Sequence, residues 1–516
     1  MTMQLAQLIV GAGVNGINTA VVFQENGIPF EVFERSGVIG GVWNRENTTC
    51  GSANAGSNVQ SDPIMYSPAG WYLEEGNKNA AIDTSDPFRG IHQSVDMVIM
   101  NTCEIQEKCN IPIHFYREVI SFERHDDGTV AVVWMDQQSK KQHVDKFAGI
   151  HFRTGRLNSV SKVVLPNESD FSGSVVDGCY GQAEKLDYKD KTVVIIGWGA
   201  FAVENATMAL QKGATKVHMV ARNKKPHWFD YATFTARKFY FAELDPNWVP
   251  TVWEDIFDIN ERAAKACGVQ DVLYSPDVHT KVDGKRHLFL HRGGLPSMSI
   301  DPVALGMHYG LIEFHQGSVS GLTTDSVVLS SGTVLKADVV IKSTGFNINL
   351  GPIDGHYMID TIFVDGHANV TSYHAIDGCE EDVFVGPSIP GTSTLLVSAY
   401  PLRDFDRAVV YFLITPQKFQ EFKGFPTFTK VKKAEAVQFV SVMHTFNKLF
   451  AFGDENIVSN FVESMTKKRE EYEKMLDEQS FLKYDKMHWD AWSELFATKT
   501  GKPFLAYHSI DCMDKV

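Results

Sequence analysis

Three glycines in the stretch LIVGAGVNGINTA, at Gly11, Gly13 and Gly16, together with Glu34 about twenty positions on, have the types and spacing to hold a pyrophosphate and a ribose. Gly11 would make the tight turn, Gly13 would let backbone approach the pyrophosphate, and Gly16 would let helix and strand pack closely. Phosphates would sit at the helix N-terminus, where unpaired N–H groups favour negative charge. Glu34 would accept from a ribose 2′-hydroxyl and repel a 2′-phosphate, which suits FAD or NAD. A second set stands at Gly197-x-Gly199-x-x-Ala202, and the strand-like run after it ends at Arg222, Asn223, Lys224 and Lys225. There a guanidinium replaces the carboxylate and can grip a 2′-phosphate in a bidentate way, so this set suits NADP. Read bare, the first pattern is also a glycine turn opening a buried helix, and the second a solvated basic turn.

The elements that would position these residues decide between the readings. Leu8–Val10 is a short apolar strand, Val14–Gln24 has helical character, and FEVFER is a second strand ending at Glu34 and Arg35. That is a β-turn-α-β unit. Val193–Ile196, four β-branched residues in a row, read as a strand buried on both faces, and a helical pattern follows the second glycine set. Two dinucleotide units in one chain imply electron transfer from NADPH to a bound flavin, with the flavin doing the chemistry.

From here the sequence resembles the class B flavin-dependent monooxygenases, which include the flavin-containing N- and S-oxygenases and the Baeyer–Villiger enzymes. Beyond the fingerprints, the likeness rests on FERSGVIGGVWN (Phe33 to Asn44), with Gly41 and Trp43 in a Gly-Gly-x-Trp element, and on FRTGRL (Phe152 to Leu157). FSG (Phe171 to Gly173) and DVVIKSTGF (Asp338 to Phe346), with Thr344 and Gly345 at the turn, complete it over roughly residues 5 to 400. The resemblance implies FAD and NADPH as cofactors, and O2 and a small molecule as substrates. It implies a C4a-(hydro)peroxyflavin as the oxygenating species. It also implies a discontinuous FAD domain (1–165 and 336–420) with an inserted NADPH domain (166–335). The expected fold class is α/β, two Rossmann-like domains with a C-terminal helical cap over 421–516.

The departures from the family are specific. Asp177 stands where the signature after Phe171 and Gly173 has a histidine, Gly181 where it has an aromatic, and Ala200 and Phe201 follow Gly199 in place of a small polar pair. Asn58, in GSNVQS, aligns with a segment that carries asparagine in the N/S-oxygenating relatives and aspartate in the Baeyer–Villiger ones. It is therefore the candidate catalytic residue, and it favours oxygenation at amine nitrogen or sulfide sulfur; as a residue of a loop it is also an ordinary turn former. Baeyer–Villiger ketone oxygenation is the alternative, and an oxidase-like flavoprotein that uses NADPH poorly is another. A disulfide-reductase-like flavoprotein needs a cysteine pair near the first fingerprint, where Cys50 stands alone.

The formal net charge of −15 argues against nucleic acid as a partner, so any phosphate site must be local. Seven scattered cysteines without a CxxC pair fit a reducing, cytoplasmic setting. The first apolar run enters the glycine loop directly, as a strand and not a signal peptide, and no run is long enough for a transmembrane anchor. A homodimer is compatible with this composition. No His, Cys or Asp cluster has metal-ligand spacing, so no metal is expected. The aromatic stretch Phe229 to Phe257 is either a substrate entrance or plain core.

Overall fold

A computed structural model describes, apart from short gaps, residues 5–54, 57, 86–88, 94–154, 160–230, 252–273, 280–287, 300–346 and 478–507, with four short strands between 382 and 432. The first unit opens with β1 (Gln7–Val10), α1 (Val14–Glu25) and β2 (Phe30–Phe33), followed by α2 (Val95–Lys108) and β3 (Ile113–His114). An antiparallel meander comes next, β4 (Arg117–Arg124), β5 (Val130–Asp136) and β6 (Gln142–Phe147), before β7 (Gly149–Phe152). The strands β3-β2-β1-β7 form one parallel sheet. Every residue of β1 is buried, as a strand covered on both faces requires. Helix α2 has Ser94 as its cap, the hydroxyl accepting from Met97 N at 3.3 Å, and Asp96 and Lys108 suit the dipole at its two ends.

The second unit repeats that plan. It runs β8 (Ser174–Asp177), β9 (Thr192–Ile196), α3 (Ala200–Gln211), β10 (Lys216–Ala221), α4 (Val252–Ala266), α5 (Asp301–His308) and β11 (Ile312–Gln316). A second antiparallel meander, β12 (Val319–Leu322), β13 (Ser326–Leu329) and β14 (Val334–Lys336), precedes β15 (Val339–Lys342). The parallel sheet is ordered β11-β10-β9-β15-β8, so β11-β10-β9-β15 matches β3-β2-β1-β7 strand for strand. This moves one boundary. The sequence reading put residues from 336 onward in the flavin unit, but β15 hydrogen-bonds to β9 on one side and β8 on the other, and the second unit therefore runs to Lys342. Most of 347–420 lies outside the described residues, as do 231–251 of the aromatic stretch.

The two faces of the second sheet have separate cores. Val193, Ile195, Val217 and Met219 pack with α3 and α5, while Val194, Val220 and Val340 pack with the meander. The C-terminal helix α6 (Glu478–Thr500) belongs to the first of these cores: Trp489, Trp492 and Phe496 are buried in it. Tyr309 Oη shares a hydrogen bond with Ser493 Oγ at 2.7 Å, and Lys499 Nζ donates to Leu210 O and Ala214 O at 3.2 and 2.9 Å. The described part of the expected cap is thus an integral layer of the second unit.

Beneath α6, the carboxylates of Asp230, Asp301 and Asp485 come within 4.8 Å of one another, all buried. Burial first, then the neighbouring carboxylates, raises Asp301 and Asp485 well above the ordinary aspartate range, while Tyr507 Oη donates to Asp485 and offsets part of this. A carboxyl raised in this way keeps its proton in the folded chain after the unfolded chain has lost it, so stability falls as pH rises above the ordinary value of 3.8. Asp485→Asn, which stays neutral and still accepts from Tyr507, is expected to flatten that fall. Melting temperatures of the two proteins between pH 5 and 8 check this, and parallel curves would refute it.

Candidate functional site

The first glycine cradle is built by backbone. Gly11 N donates to Phe33 O at 2.7 Å, and Gly11 has φ +104°, where a Cβ would stand 2.7 Å from Arg153 O. A Cβ on Gly16 would lie 1.8 Å from Gly11 O, so α1 sits directly on the turn. At Gly13 the nearest atom to a Cβ is Gly41 Cα at 3.8 Å, which leaves its outer side open. The Gly-Gly-x-Trp loop folds back over this turn: Gly40 N donates to Ala12 O at 2.9 Å, and Gly41 and Trp43 are half-buried in the short 3-10 turn that follows.

Glu34 is 5% exposed, and its two carboxylate oxygens accept from Ala12 N and Ser36 N, each at 2.8 Å. Each oxygen has a second lone pair, so the carboxylate is fixed at the mouth of the turn with capacity left for ribose hydroxyls. Phe33 is held from behind by edge contacts from Trp134 and Phe147 at 5.6 Å and by the Arg117 guanidinium at 4.7 Å. The first meander thereby sets the end of β2. Arg35 is directed elsewhere, its guanidinium donating to Thr49 O at 3.2 Å.

The second cradle reproduces the first. Gly197 N donates to Val220 O at 2.9 Å, and Gly197 has φ +140°, with a Cβ position 2.2 Å from Ser343 O. Arg153 N to Val10 O (2.7 Å) and Ser343 N to Ile196 O (2.8 Å) close the two turns in the same way. Gly199 caps α3 in an extended conformation with no side-chain cap, and a Cβ there would meet nothing within 4 Å. Ala202 is fully buried, giving the close helix packing expected of the third position.

The equivalence also fixes what stands at the ribose position. Phe33 corresponds to Val220, so Glu34 corresponds to Ala221 and Arg35 to Arg222. A methyl group therefore replaces the carboxylate, and Arg222 follows it, exposed. Lys224 donates to Asp271 O, and Lys225 lies outside the described residues. Phe201, the bulky departure, packs against Phe346 at 5.2 Å between ring centroids. Asp177 lies 3.9 Å from Lys342 Nζ, which also pairs with Glu168 at 3.0 Å, and this departure is thus part of an ion network at the sheet end.

The two chain crossings run side by side. Val160 bridges Phe346, Ser161 N donates to Gly345 O at 3.0 Å, and Thr344 Oγ1 donates to Ser161 O at 3.0 Å. A polar junction joins the units nearby. Buried Asn54 donates through Nδ2 to Gly178 O (3.0 Å) and Asn205 Oδ1 (3.2 Å), and Ser57 Oγ donates to Glu204 Oε2 at 2.7 Å. Asn205 in turn donates to Gly178 O and Ser343 Oγ at 2.9 and 3.1 Å. Among the described residues, Asn54 Oδ1 is a buried acceptor without a protein partner. Asn58 itself lies outside the described residues, next to Ser57.

Sequence reading missed Arg153, Ser343, Ala221 and the Asn54–Asn205 pair. The first two act through backbone, which leaves no side-chain signature; Ala221 was legible only after the strand register was known. Cys50 is buried, and burial pushes its thiol up, away from the thiolate that disulfide exchange needs.

The residues fit both dinucleotides: one turn with a carboxylate at the ribose, one with a methyl and an arginine, each open at its second glycine. No model of a known protein family matches the chain. Among its relatives is the probable FAD-binding monooxygenase AlmA of Acinetobacter sp., 25% identical over 398 residues, covering 73% of this chain and 74% of that protein. The FAD-containing monooxygenase EthA of Mycobacterium tuberculosis is 22% identical over 378 residues, covering 68% and 71%. Similar solved structures include an oxidized steroid monooxygenase bound to NADP (TM-score 0.48, 14% identity, covering 68% of this chain and 73% of that one). An open cyclohexanone monooxygenase gives TM-score 0.48 at 14% identity, covering 75% and 81%. Sequence similarity to FAD-binding monooxygenases over more than two thirds of the chain, in the fold that its two fingerprints call for, makes it a divergent member of the class B flavin-dependent monooxygenases.

Proposed function

We propose that this enzyme takes reducing equivalents from NADPH through FAD and transfers one oxygen atom of O2 to a small molecule, at amine nitrogen or sulfide sulfur. The observation that carries the cofactor assignment is the contrast between two otherwise equivalent turns: Glu34 ends one, Ala221 and Arg222 the other. FAD, when bound, supplies the oxygen-activating chemistry. The chain's part is to hold it. Gly11, Gly13 and Gly16 seat its pyrophosphate at α1, Glu34 orients its ribose, and Gly41 and Trp43 lie over the turn. Gly197, Gly199 and Ala202 seat the NADPH pyrophosphate at α3. Thr344 and Gly345 fix the crossing between the units.

Arg222→Ala is expected to weaken NADPH by roughly 1.5–3 kcal/mol, the worth of a charge-assisted hydrogen bond, which is about one to two orders of magnitude in KM. NADH should be nearly unaffected, because it lacks the 2′-phosphate. Equal losses for both coenzymes would reduce Arg222 to a structural role.

The choice of nitrogen or sulfur over a ketone rests on Asn58. The contact of its neighbour Ser57 with Glu204 on α3 supports a position between the units. An amide donates and accepts but takes no proton, so it can hold a protonated oxygen species at neutral pH, the electrophilic form that amines and sulfides attack. Asn58→Leu should leave flavin reduction by NADPH intact, cut product formation, and release hydrogen peroxide instead. A screen of amines, sulfides and ketones with peroxide measured alongside tests this. Ketone-to-ester conversion by the wild type, or undiminished coupling in Asn58→Leu, would favour the Baeyer–Villiger reading.

A further inference from the structure

The second sheet carries a cluster that neither dinucleotide explains. On β10, His218 shares a face with Val194 and Val220, and across the parallel register it lies opposite Glu313 of β11; His315, two residues on, shares that face. Three donors that are distant in sequence thus meet on one rigid edge pair of strands. His218 Nδ1 is 2.9 Å from His315 Nε2, and the two Glu313 oxygens are 3.7 Å from His218 Nδ1 and 3.8 Å from His315 Nε2. A tetrahedral zinc centre with bonds of about 2.0–2.1 Å sets ligand-to-ligand separations near about 3.3 Å, and the three distances straddle that value.

We propose that His218, His315 and Glu313 form a binding site for a divalent cation of the zinc class, clamping β10 to β11. Two imidazoles and one carboxylate are a donor set for zinc-class transition metals and not for the hard cations calcium and magnesium. The imidazole side chains are 13% and 16% exposed and that of Glu313 is 52% exposed, so the ligands are preorganised while the fourth position faces solvent. Burial, then the neighbouring His315, pushes His218 down to about 4, which leaves its ring neutral as a ligand must be. The ammonium of Lys216, 3.3 Å from Glu313 Oε2, occupies the same carboxylate and competes with a cation. The third buried carboxylate group, under α6, differs in having no imidazole among its three members.

The test uses untagged, metal-stripped protein retaining its own flavin, titrated with zinc chloride by calorimetry and with cobalt(II) by visible absorbance. One equivalent should bind, and zinc should raise the melting temperature, because only the folded chain brings the two strands together. His218→Ala and His315→Ala should each lower affinity by at least about tenfold, the least that removal of a metal ligand is expected to do, and abolish the thermal shift. Lys216→Met should raise affinity. Flavin absorbance and circular dichroism show that each variant is folded, and Glu313→Gln, which keeps the side-chain shape, gives a second loss-of-binding test. Absence of binding to the wild type, or unchanged affinity in both histidine variants, would overturn the site.

Discussion

Gly16→Ala should purify as a nearly colourless protein. The added methyl would stand 1.8 Å from Gly11 O and 2.9 Å from Gly11 C, both backbone atoms of the turn that seats the pyrophosphate. Helix α1 must move away from the turn or the turn must open, and overpacking of this kind costs roughly 1–3 kcal/mol. Taken from cofactor affinity, that is up to two orders of magnitude. Gly13→Ala separates the causes, because its methyl meets no protein atom closer than Gly41 Cα at 3.8 Å. Its melting temperature without cofactor should match the wild type, and any loss of FAD then reports a clash with the cofactor itself. FAD released on denaturation, per mole of protein, is the readout, and full occupancy in Gly16→Ala would contradict the assignment of this turn.

Gly199→Ala should keep its flavin and lose its response to NADPH. The residue has an ordinary extended backbone, φ −102° and ψ −174°, which alanine adopts without strain, and the space around its Cβ position is open. Nothing in the protein opposes the methyl; only a pyrophosphate drawn to the N-terminus of α3 would. The expected result is wild-type stability and FAD content with flavin reduction slowed by at least about tenfold, one bad contact of about 1.4 kcal/mol being enough. Gly197→Ala is the structural counterpart: a Cβ 2.2 Å from Ser343 O at φ +140° should destabilise the second unit itself. Unchanged reduction kinetics in Gly199→Ala would mean that NADPH does not cross this turn.

What the sequence made legible was local. The strands at Leu8 and Val193, the glycine spacing, the helices that follow and the residue types at Glu34 and Arg222 lie within short windows where periodicity and backbone needs leave a trace. The repeated plan was not legible, because β7 pairs with β1, and β15 with β9, across intervals of more than a hundred residues. The same non-local pairing hid the boundary at Lys342 and the meeting of His218 with Glu313 and His315. Helix α6 was visible as a helix, but polar Asp485, His488 and Ser493 interrupt its apolar stripe, and so it read as a surface cap; those residues are buried in the second unit. Asn54 and Asn205 carry no signal at all, since a buried asparagine and a turn asparagine look alike in sequence.

The central claim is that one chain binds a flavin at the first turn and its reductant at the second. Anaerobic mixing of the purified protein with NADPH, followed at the flavin absorbance near 450 nm by stopped flow, measures this most directly. The account predicts rapid bleaching by NADPH and much slower bleaching by NADH, with the yellow colour restored on admitting O2. Flavin that stays oxidised under excess NADPH would contradict it.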